Sequence, residues 1–216
     1  MKNIAVIARK GGSGKTTVAV NLAVAAYRRG YAVELADTDP QGSSSEVLKA
    51  RKADGPRVTQ ITGEALHAGR MQASPGVDVR VIDTPAGAED AIGHAIAMAQ
   101  VSVLVVRPTF LDLAATLQTA QILRRLRRPG LILLNQAPVG RSGIEAPAVK
   151  RALDALRLMQ LPVLPVILRG RAAYQTSLAL GCSVEELGGG PAVEEVAQLW
   201  GYLERFALRA PRLTAA

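Results

Sequence analysis

Short apolar segments recur along the chain, and each interval between them is long enough for one helix. Several of these segments are apolar at every position, which is typical of parallel strands that are covered on both faces. The pattern predicts strands at residues 4–8, 32–36, 79–82, 101–106, 131–134 and 163–167. Alternating strands and helices predict an α/β fold with a doubly wound, mostly parallel sheet, which binds ligands at the carboxyl ends of its strands.

Helical periodicity fills the intervals between the predicted strands. Apolar residues three or four apart predict helices at residues 15–29, 88–98, 113–127, 146–159 and 192–208. The chain has no internal repeat and no low-complexity linker. We therefore predict a single domain over residues 1–208 and a frayed tail at residues 209–216.

The composition excludes several classes of protein. The 216 residues are enough for one compact domain with a sizeable core. No apolar run reaches the roughly 18 residues that a membrane-spanning helix needs, and the N-terminal residues become glycine-rich too soon for a signal peptide. The lone Cys182 excludes an internal disulfide and a four-cysteine metal site within one chain. We expect a cytoplasmic protein.

The positive charge is concentrated in one stretch. The formal net charge is +8, and residues 124–171 contain ten Arg or Lys residues against only Glu145 and Asp154, which accounts for the whole excess. Such a stretch is either a set of solvated helix faces or a polyanion-binding surface, where the release of counterions would contribute to binding.

Residues 8–17, "ARKGGSGKTT", have the pattern of a phosphate-binding loop. They follow a predicted strand and open a predicted helix, the context that makes such a motif credible. Glycines let the backbone turn with its N–H groups inward, and the helix presents its positive end to phosphates. The predicted nucleotide-binding residues of this loop are Gly11, Gly12, Ser13, Gly14, Lys15, Thr16 and Thr17.

Individual side chains of the loop have distinct expected tasks. Lys15 is placed to bridge the β- and γ-phosphate oxygens, Thr16 to offer its hydroxyl to Mg²⁺, and Thr17 to support the α-phosphate. The common form of the motif has a glycine five residues before Gly14, and Arg9 stands there instead. Lys10 adds a second lysine at the entrance of the loop.

Three carboxylates follow predicted strands. "VELADTDPQGSSS" places Asp37 and Asp39 at the end of the second strand, and "VRVIDTPAGAED" places Asp83 after the strand at 79–82. Parallel neighbouring strands bring these groups to the phosphate edge of the sheet. Together they predict a set that binds Mg²⁺ and positions water.

Three motifs, "KGGSGKTT", "DTDPQGS" and "DTPAG", resemble in order and spacing the deviant Walker A, Walker A′ and Walker B motifs of the ParA/MinD family of ATPases. The length of the chain is similar to that of the short, ParF-like (type Ib) plasmid-partition members. The likeness continues in "LLNQ", where Asn135 matches the residue that reads adenine in the family, and in "RGRAAYQTSLALGCSVEEL" and "PAVEEVAQLW".

The resemblance implies a slow, Mg²⁺-dependent ATP hydrolase that cycles between ATP and ADP. Lys10 would reach across a nucleotide-sandwich homodimer to the phosphates bound by the other subunit, as an arginine finger does. Together with Lys15, the catalytic set would contain Asp39, which positions the attacking water. Asp83 would hold Mg²⁺ through a water, and Asp37 would organise the site behind it.

The resemblance also implies partners. ATP dimers, and in some members higher assemblies, bind double-stranded DNA without sequence preference, and a ParB/ParG-like adaptor stimulates hydrolysis. We expect a nucleoid-associated protein. Arg169 and Arg171 are the first candidates for DNA contacts. A second group also suits the end of a helix, where cations meet the helix dipole; it consists of Arg124, Arg125, Arg127 and Arg128.

Other functions remain open from the sequence. A MinD-like membrane cycle would need an amphipathic C-terminal helix, and "LWGYLERFALRAPRL" offers one, although its apolar stripe begins inside the domain and makes membrane binding the weaker alternative. Relatives with the same mechanism position cellulose-synthase, chemotaxis or carboxysome assemblies. A nitrogenase iron protein would need two cysteines, and nothing in the sequence indicates the acceptor site of a dethiobiotin synthetase.

Overall fold

Six parallel strands form one sheet in the computed structural model, which describes residues 1–61, 65 and 74–208. Across the sheet the order is β3-β2-β4-β1-β5-β6, and every pair is parallel. The strands are β1 Lys2–Ile7, β2 Val33–Asp37, β3 Arg57–Gln60, β4 Val79–Asp83, β5 Val101–Val106 and β6 Gly130–Leu134. This topology confirms the predicted doubly wound fold.

Helices cover both faces of the sheet and produce two apolar layers. They are α1 Lys15–Arg28, α2 Ser43–Lys49, α3 Glu89–Met98, α4 Phe110–Arg125, α5 Pro147–Arg157, α6 Ala172–Ala179 and α7 Pro191–Leu203. Leu22 of α1 and Trp200 of α7 pack in one layer, and Ile96 of α3 and Leu123 of α4 pack in the other. The uninterrupted apolar sequences of the central strands are explained by this burial on both sides.

The segment at 163–167, predicted as a strand, is not a regular one. Its backbone runs beside β6, where the N–H of Leu164 donates to Ile132 O (2.8 Å) and the N–H of Leu168 donates to Leu134 O (3.0 Å). Between these two hydrogen bonds the segment advances by four residues while β6 advances by only two, so the segment bulges away from regular pairing. Pro165, which has no N–H to donate, lies within the bulge. The segment is apolar and packs beside β6, but the prediction that it forms a regular strand was wrong.

The apolar stripe of the C-terminal helix faces the core. Trp200 and Leu203 are buried, and the Trp200 indole packs edge-on against Tyr31 with ring centres 5.7 Å apart. Phe206, in the wider turn Glu204–Leu208 that follows α7, is partly exposed. This packing favours a structural helix over membrane targeting. The predicted tail at 209–216 lies outside the described residues, and in the part that is described no helix is long and apolar enough to cross a membrane.

Candidate active site

The glycine-rich loop connects the central strand β1 to the start of α1. Gly12 and Gly14 have φ values of +72° and +90°, a left-handed conformation that side chains disfavour. A Cβ atom at Gly14 would lie 2.3 Å from Asn135 Nδ2. The backbone N–H groups at the start of α1 follow directly, so the loop and the helix dipole together form an anion site. Position 14 therefore requires glycine for two reasons: its backbone is left-handed, and a side chain there would collide with Asn135.

Lys15 enters this site from the first turn of α1. Its side chain is buried, with 7% of the residue exposed. Burial lowers the pKa of the Lys15 ammonium, and the negative charges of Asp83 and Asp39 partly oppose this effect. The three groups therefore lie within electrostatic reach of one another, as the sequence predicted.

Asp83 ends β4 and is almost completely buried. Within the described residues neither carboxylate oxygen has a hydrogen-bond partner. Burial, with a smaller contribution from the charge of Asp37, raises the pKa of Asp83 to about 7 even though the nearby hydroxyls of Thr16 and Ser44 and the charge of Lys15 act to lower it. An unpaired buried carboxylate is costly unless a cation compensates it.

These residues fit Mg²⁺ bound together with a nucleotide. Nowhere in the described ranges do three His, Cys, Asp or Glu side chains converge to hold a metal by themselves. That arrangement suits Mg²⁺, which takes one or two protein ligands and completes its shell with waters and phosphate oxygens. Thr16 and Asp83 are the residues that would hold the ion, and its bound charge would stabilise the phosphates during hydrolysis.

Asp37 and Asp39 shape the first loop that follows β2. Asp37 is opposite Asp83 in the β2–β4 register and fully buried. Its two oxygens accept from Asp39 N (3.1 Å) and from Ser45 N (2.8 Å). Asp39 is only partly buried and accepts from Gln41 N at 3.0 Å. Asp37 therefore fixes the turn into α2, and Asp39 keeps an oxygen at the edge of the site.

Lys10 is half-buried at the entrance of the loop. It forms no ion pair with any residue that the structure describes. Its ammonium is thus not neutralised by the described part of its own chain, which suits a group that acts on phosphates. Its action in trans stays a prediction.

Asn135 and Gln136, at the end of β6, hold the loop from the side. Asn135 Nδ2 donates to Ser13 O at 2.7 Å, and Gln136 Nε2 donates to Gly12 O at 2.9 Å. Adenine recognition by Asn135 stays a prediction, because the amide is bound to the loop in this structure. Gln136 was missed by sequence reasoning, although its place beside Asn135 in "LLNQ" was a signal.

A cleft of about 420 Å³ opens next to the loop, a size typical of small-molecule sites. It is bordered by Thr17, Asn135, Gln136 and the segment 169–175. The cleft continues from the phosphate loop past Thr17, so it is positioned for the nucleoside part of a nucleotide.

Arg169 and Arg171 line this cleft and are paired with carboxylates. Arg169 Nη2 lies 2.6 Å from Glu145 Oε2, and Arg171 Nη2 lies 2.8 Å from Glu195 Oε1. Their predicted DNA contacts are not tested by this geometry, but both guanidinium groups already have partners. The two carboxylates could not be identified from the sequence, because each is more than 20 residues away along the chain.

The cluster Arg124, Arg125, Arg127 and Arg128 is exposed at the end of α4. Arg124 donates to Gln160 Oε1 at 2.9 Å, and none of the four forms an ion pair within the described part of the chain. Because α4 runs back from the carboxyl edge of the sheet, this cluster lies toward the opposite edge from the phosphate loop.

Two further arginines adjoin the loop and were missed by sequence reasoning. Arg107 forms a two-pronged pair with Asp112 (3.1 and 3.2 Å), and its Nη1 would lie 3.6 Å from a Cβ at Gly12. Arg9 Nη1 lies 3.2 Å from Glu89 Oε2 at the start of α3. The Arg9–Glu89 pair ties the loop to α3, and the Arg107–Asp112 pair holds Arg107 beside the loop.

Comparison with known proteins agrees with this site. The model of the CobQ/CobB/MinD/ParA nucleotide binding domain matches residues 4–202. Maintenance of carboxysome distribution protein A of Halothiobacillus neapolitanus is 31% identical over 211 residues, which cover 91% of this chain and 93% of that protein.

Solved structures show the same fold. The ATP complex of a Cyanothece McdA variant superposes with a TM-score of 0.78 at 18% identity, over 100% of this chain and 99% of that one. The cell division ATPase MinD of Pyrococcus furiosus superposes with a TM-score of 0.76 at 22% identity, over 95% and 99% of the two chains. The chain therefore belongs to the CobQ/CobB/MinD/ParA family of nucleotide-binding domains, as an ATPase of the ParA/MinD type.

Proposed function

We propose that this ATPase positions a protein assembly by cycling between an ATP-bound dimer, which binds DNA without sequence preference, and a form released by hydrolysis. The observation that carries the choice of cargo is the 31% identity, over 91% of this chain, to a protein named for carboxysome distribution. An adaptor on the cargo stimulates hydrolysis, so cargo moves along the nucleoid toward regions where ATP dimers remain.

The residues of the site divide the hydrolytic work. Lys15 neutralises charge on the β- and γ-phosphates, and Thr16 and Asp83 hold Mg²⁺ beside them. Asp39, with its oxygen at the edge of the site, orients the attacking water. We assign no strong general base among the described residues, which suits a slow enzyme whose rate depends on a partner.

The dimer supplies the missing cation. Lys10 of one protomer reaches the γ-phosphate bound by the other, and a cation delivered in this way is worth roughly 10³–10⁵ in rate. Because the ligand then belongs to both subunits, ATP selects the dimer and hydrolysis releases it.

An exposed apolar pair lies at the same edge of the sheet as the loop. Phe110 and Leu111 begin α4 just beyond the carboxyl end of β5, and they are 81% and 62% exposed. Arg107, three residues before Phe110, lies beside Gly12. A second copy of this chain, docked over the nucleotide, would cover this pair.

Replacing Phe110 and Leu111 together by serine should abolish ATP-dependent dimerisation and leave nucleotide binding unchanged. The measurement is molar mass by light scattering with a slowly hydrolysed ATP analogue. Leu158→Ser is the control, because Leu158 is 83% exposed at the end of α5, away from this pair. A double variant that still dimerises would place the interface elsewhere.

The exposed arginine cluster at the end of α4 is the first proposed DNA surface. Its guanidinium groups face solvent and form no ion pair with any described residue, whereas Arg169 and Arg171 are held by Glu145 and Glu195. Free cations neutralise phosphates without first giving up a carboxylate, so Arg169 and Arg171 now rank second.

DNA binding should require the ATP form and the cluster. With a random-sequence duplex and a slowly hydrolysed ATP analogue, we expect log K to fall against log salt with a slope near −5 if about six phosphates are neutralised. Lys10→Ala should remove this binding because it prevents dimerisation. Arg127→Ala with Arg128→Ala should weaken it and flatten the slope.

The matched control is Lys150→Ala with Arg151→Ala, which removes the same charge from exposed positions on α5. An equal loss in both double variants would indicate a general charge effect instead of a DNA surface. Absence of binding in every nucleotide state would refute the DNA part of the proposal, and sedimentation with liposomes would then test the membrane alternative.

A gene deletion in the source cell tests whether the cargo is a protein assembly or DNA. Deletion of the gene should cluster the protein assembly while plasmids and chromosomes are inherited normally. Loss of a plasmid or chromosome with evenly placed protein assemblies would instead support DNA partition, the function suggested by the resemblance to ParF-like proteins.

A further inference from the structure

Glu195, on the second turn of α7, is buried and gathers three groups from one short segment. Its Oε2 accepts from the backbone N–H of Arg169 (3.1 Å) and from the hydroxyl of Tyr174 (2.8 Å). Its Oε1 accepts from Arg171 Nε at 2.8 Å. One carboxylate thus accepts hydrogen bonds from three residues of the segment 169–174.

The same segment forms the wall of the cleft beside the phosphate loop. Arg169, Arg171 and Tyr174 all border it, opposite Thr17 and Asn135. Glu195 itself does not line the cleft. It therefore acts on anything bound there only through the residues that it holds.

The three contacts together use both carboxylate oxygens of Glu195 as acceptors. Burial, followed by the neighbouring charge of Glu195, raises the pKa of Tyr174 far above its ordinary value, so the tyrosine stays a hydrogen-bond donor. The Arg171 guanidinium and the Arg169 N–H are donors as well. An amide in place of the carboxylate would direct its own N–H₂ group at one of these donors.

We infer that Glu195 is a positioning residue for the nucleoside part of the nucleotide, because it holds the cleft wall formed by Arg169, Arg171 and Tyr174 beside Thr17 and Asn135. The inference rests on the proposed use of this cleft for the nucleoside. The hydrogen bonds that hold the phosphate loop come from Asn135 and Gln136 and not from Glu195, so a change at Glu195 should affect the nucleoside half of the ligand alone.

The test compares ADP with inorganic pyrophosphate, which lacks the nucleoside. Calorimetric titration with Mg²⁺ should show ADP affinity reduced about tenfold in Glu195→Gln, consistent with the loss of hydrogen bonds to a charged group, and pyrophosphate affinity unchanged. The control Glu194→Gln changes the exposed neighbour on the same helix turn and should alter neither affinity.

Tyr174→Phe removes one of these hydrogen bonds without changing any charge, so it answers the question if Glu195→Gln fails to fold. It should reduce ADP affinity a few-fold and leave pyrophosphate binding unchanged. An equal loss for ADP and pyrophosphate, or no loss for ADP in either variant, would overturn the inference. Failure of the wild type to bind ADP while it binds pyrophosphate would refute the proposed use of the cleft itself. The DNA and cargo proposals are independent of all these results.

Discussion

Replacing Asp83 by asparagine should stabilise the nucleotide-free protein above neutral pH and at the same time weaken Mg²⁺-dependent nucleotide binding. The carboxylate is 1% exposed and has no hydrogen-bond partner among the described residues. Its burial raises its pKa from 3.8 to about 7. At pH 8, without the cation, the wild type therefore carries a buried charge that Lys15 compensates only in part.

The pH dependence of this effect has a definite sign. Between about pH 4 and pH 7 the folded protein retains the Asp83 proton while the unfolded chain has released it, so stability falls as pH rises through this window. At about 1.4 kcal/mol per pKa unit, the rise of the Asp83 pKa from 3.8 to about 7 corresponds to a loss on the order of 4 kcal/mol by pH 8. The asparagine variant has no such titration.

Thermal unfolding without nucleotide, from pH 5 to pH 8.5, measures this difference. We expect the melting temperature of Asp83→Asn to exceed that of the wild type by several degrees at pH 8 and by progressively less as the pH falls toward 5. Mg²⁺ with ADP should stabilise the wild type far more than the variant. Asp54→Asn, at an exposed carboxylate, is the control. A wild-type profile parallel to that of Asp83→Asn would show that Asp83 is ionised at no cost.

Gly14→Ala should abolish nucleotide binding, with a loss of at least about a hundredfold in affinity, equal to roughly 2.7 kcal/mol or more. The new methyl group would meet the Asn135 amide at 2.3 Å and would stand on a backbone with φ of +90°. Asn135 is hydrogen-bonded to Ser13 O and buried, so it has little freedom to withdraw. Either the loop or the end of β6 must move.

Gly30→Ala separates the cost of the left-handed backbone from the cost of the collision with Asn135. Gly30 has a nearly identical φ of +87°, but a Cβ there meets nothing within 4 Å. This control should lose about 1 kcal/mol of stability and bind ATP normally. Equilibrium titration with a fluorescent ATP analogue and urea unfolding of both variants measure the two effects. Normal ATP affinity in Gly14→Ala would mean that the loop does not hold the phosphates in the conformation described.

The sequence predicted the parts of the fold that local pattern determines. Buried parallel strands are apolar throughout, so five of the six observed strands were found. β3 was missed because "RVTQ" is short, polar at both ends and only half-buried at the edge of the sheet. The helix at Ser43–Lys49 was missed because three serines disfavour a helix interior. Its burial against the sheet decides its conformation instead.

The site shows the same division. Motif spacing identified the loop, Lys15 and the carboxylates, since each follows directly from a strand end. Glu145 and Glu195 were not identified as partners of the cleft arginines, because such pairs arise only when distant segments pack together. Charge and the family resemblance predicted DNA contacts first for Arg169 and Arg171 and second for the exposed arginine cluster. Only burial and partners distinguish them.

The irregular segment beside β6 has a consequence for self-association. An open strand edge offers unpaired N–H and C=O groups to any other chain and is a common route to aggregation. Here Pro162 and Pro165 lie on the segment that covers β6, and proline cannot extend a ladder of hydrogen bonds. This flank of the sheet is thereby closed to strand addition. The proposed nucleotide-dependent association could then take place without cross-β aggregation from this side of the sheet.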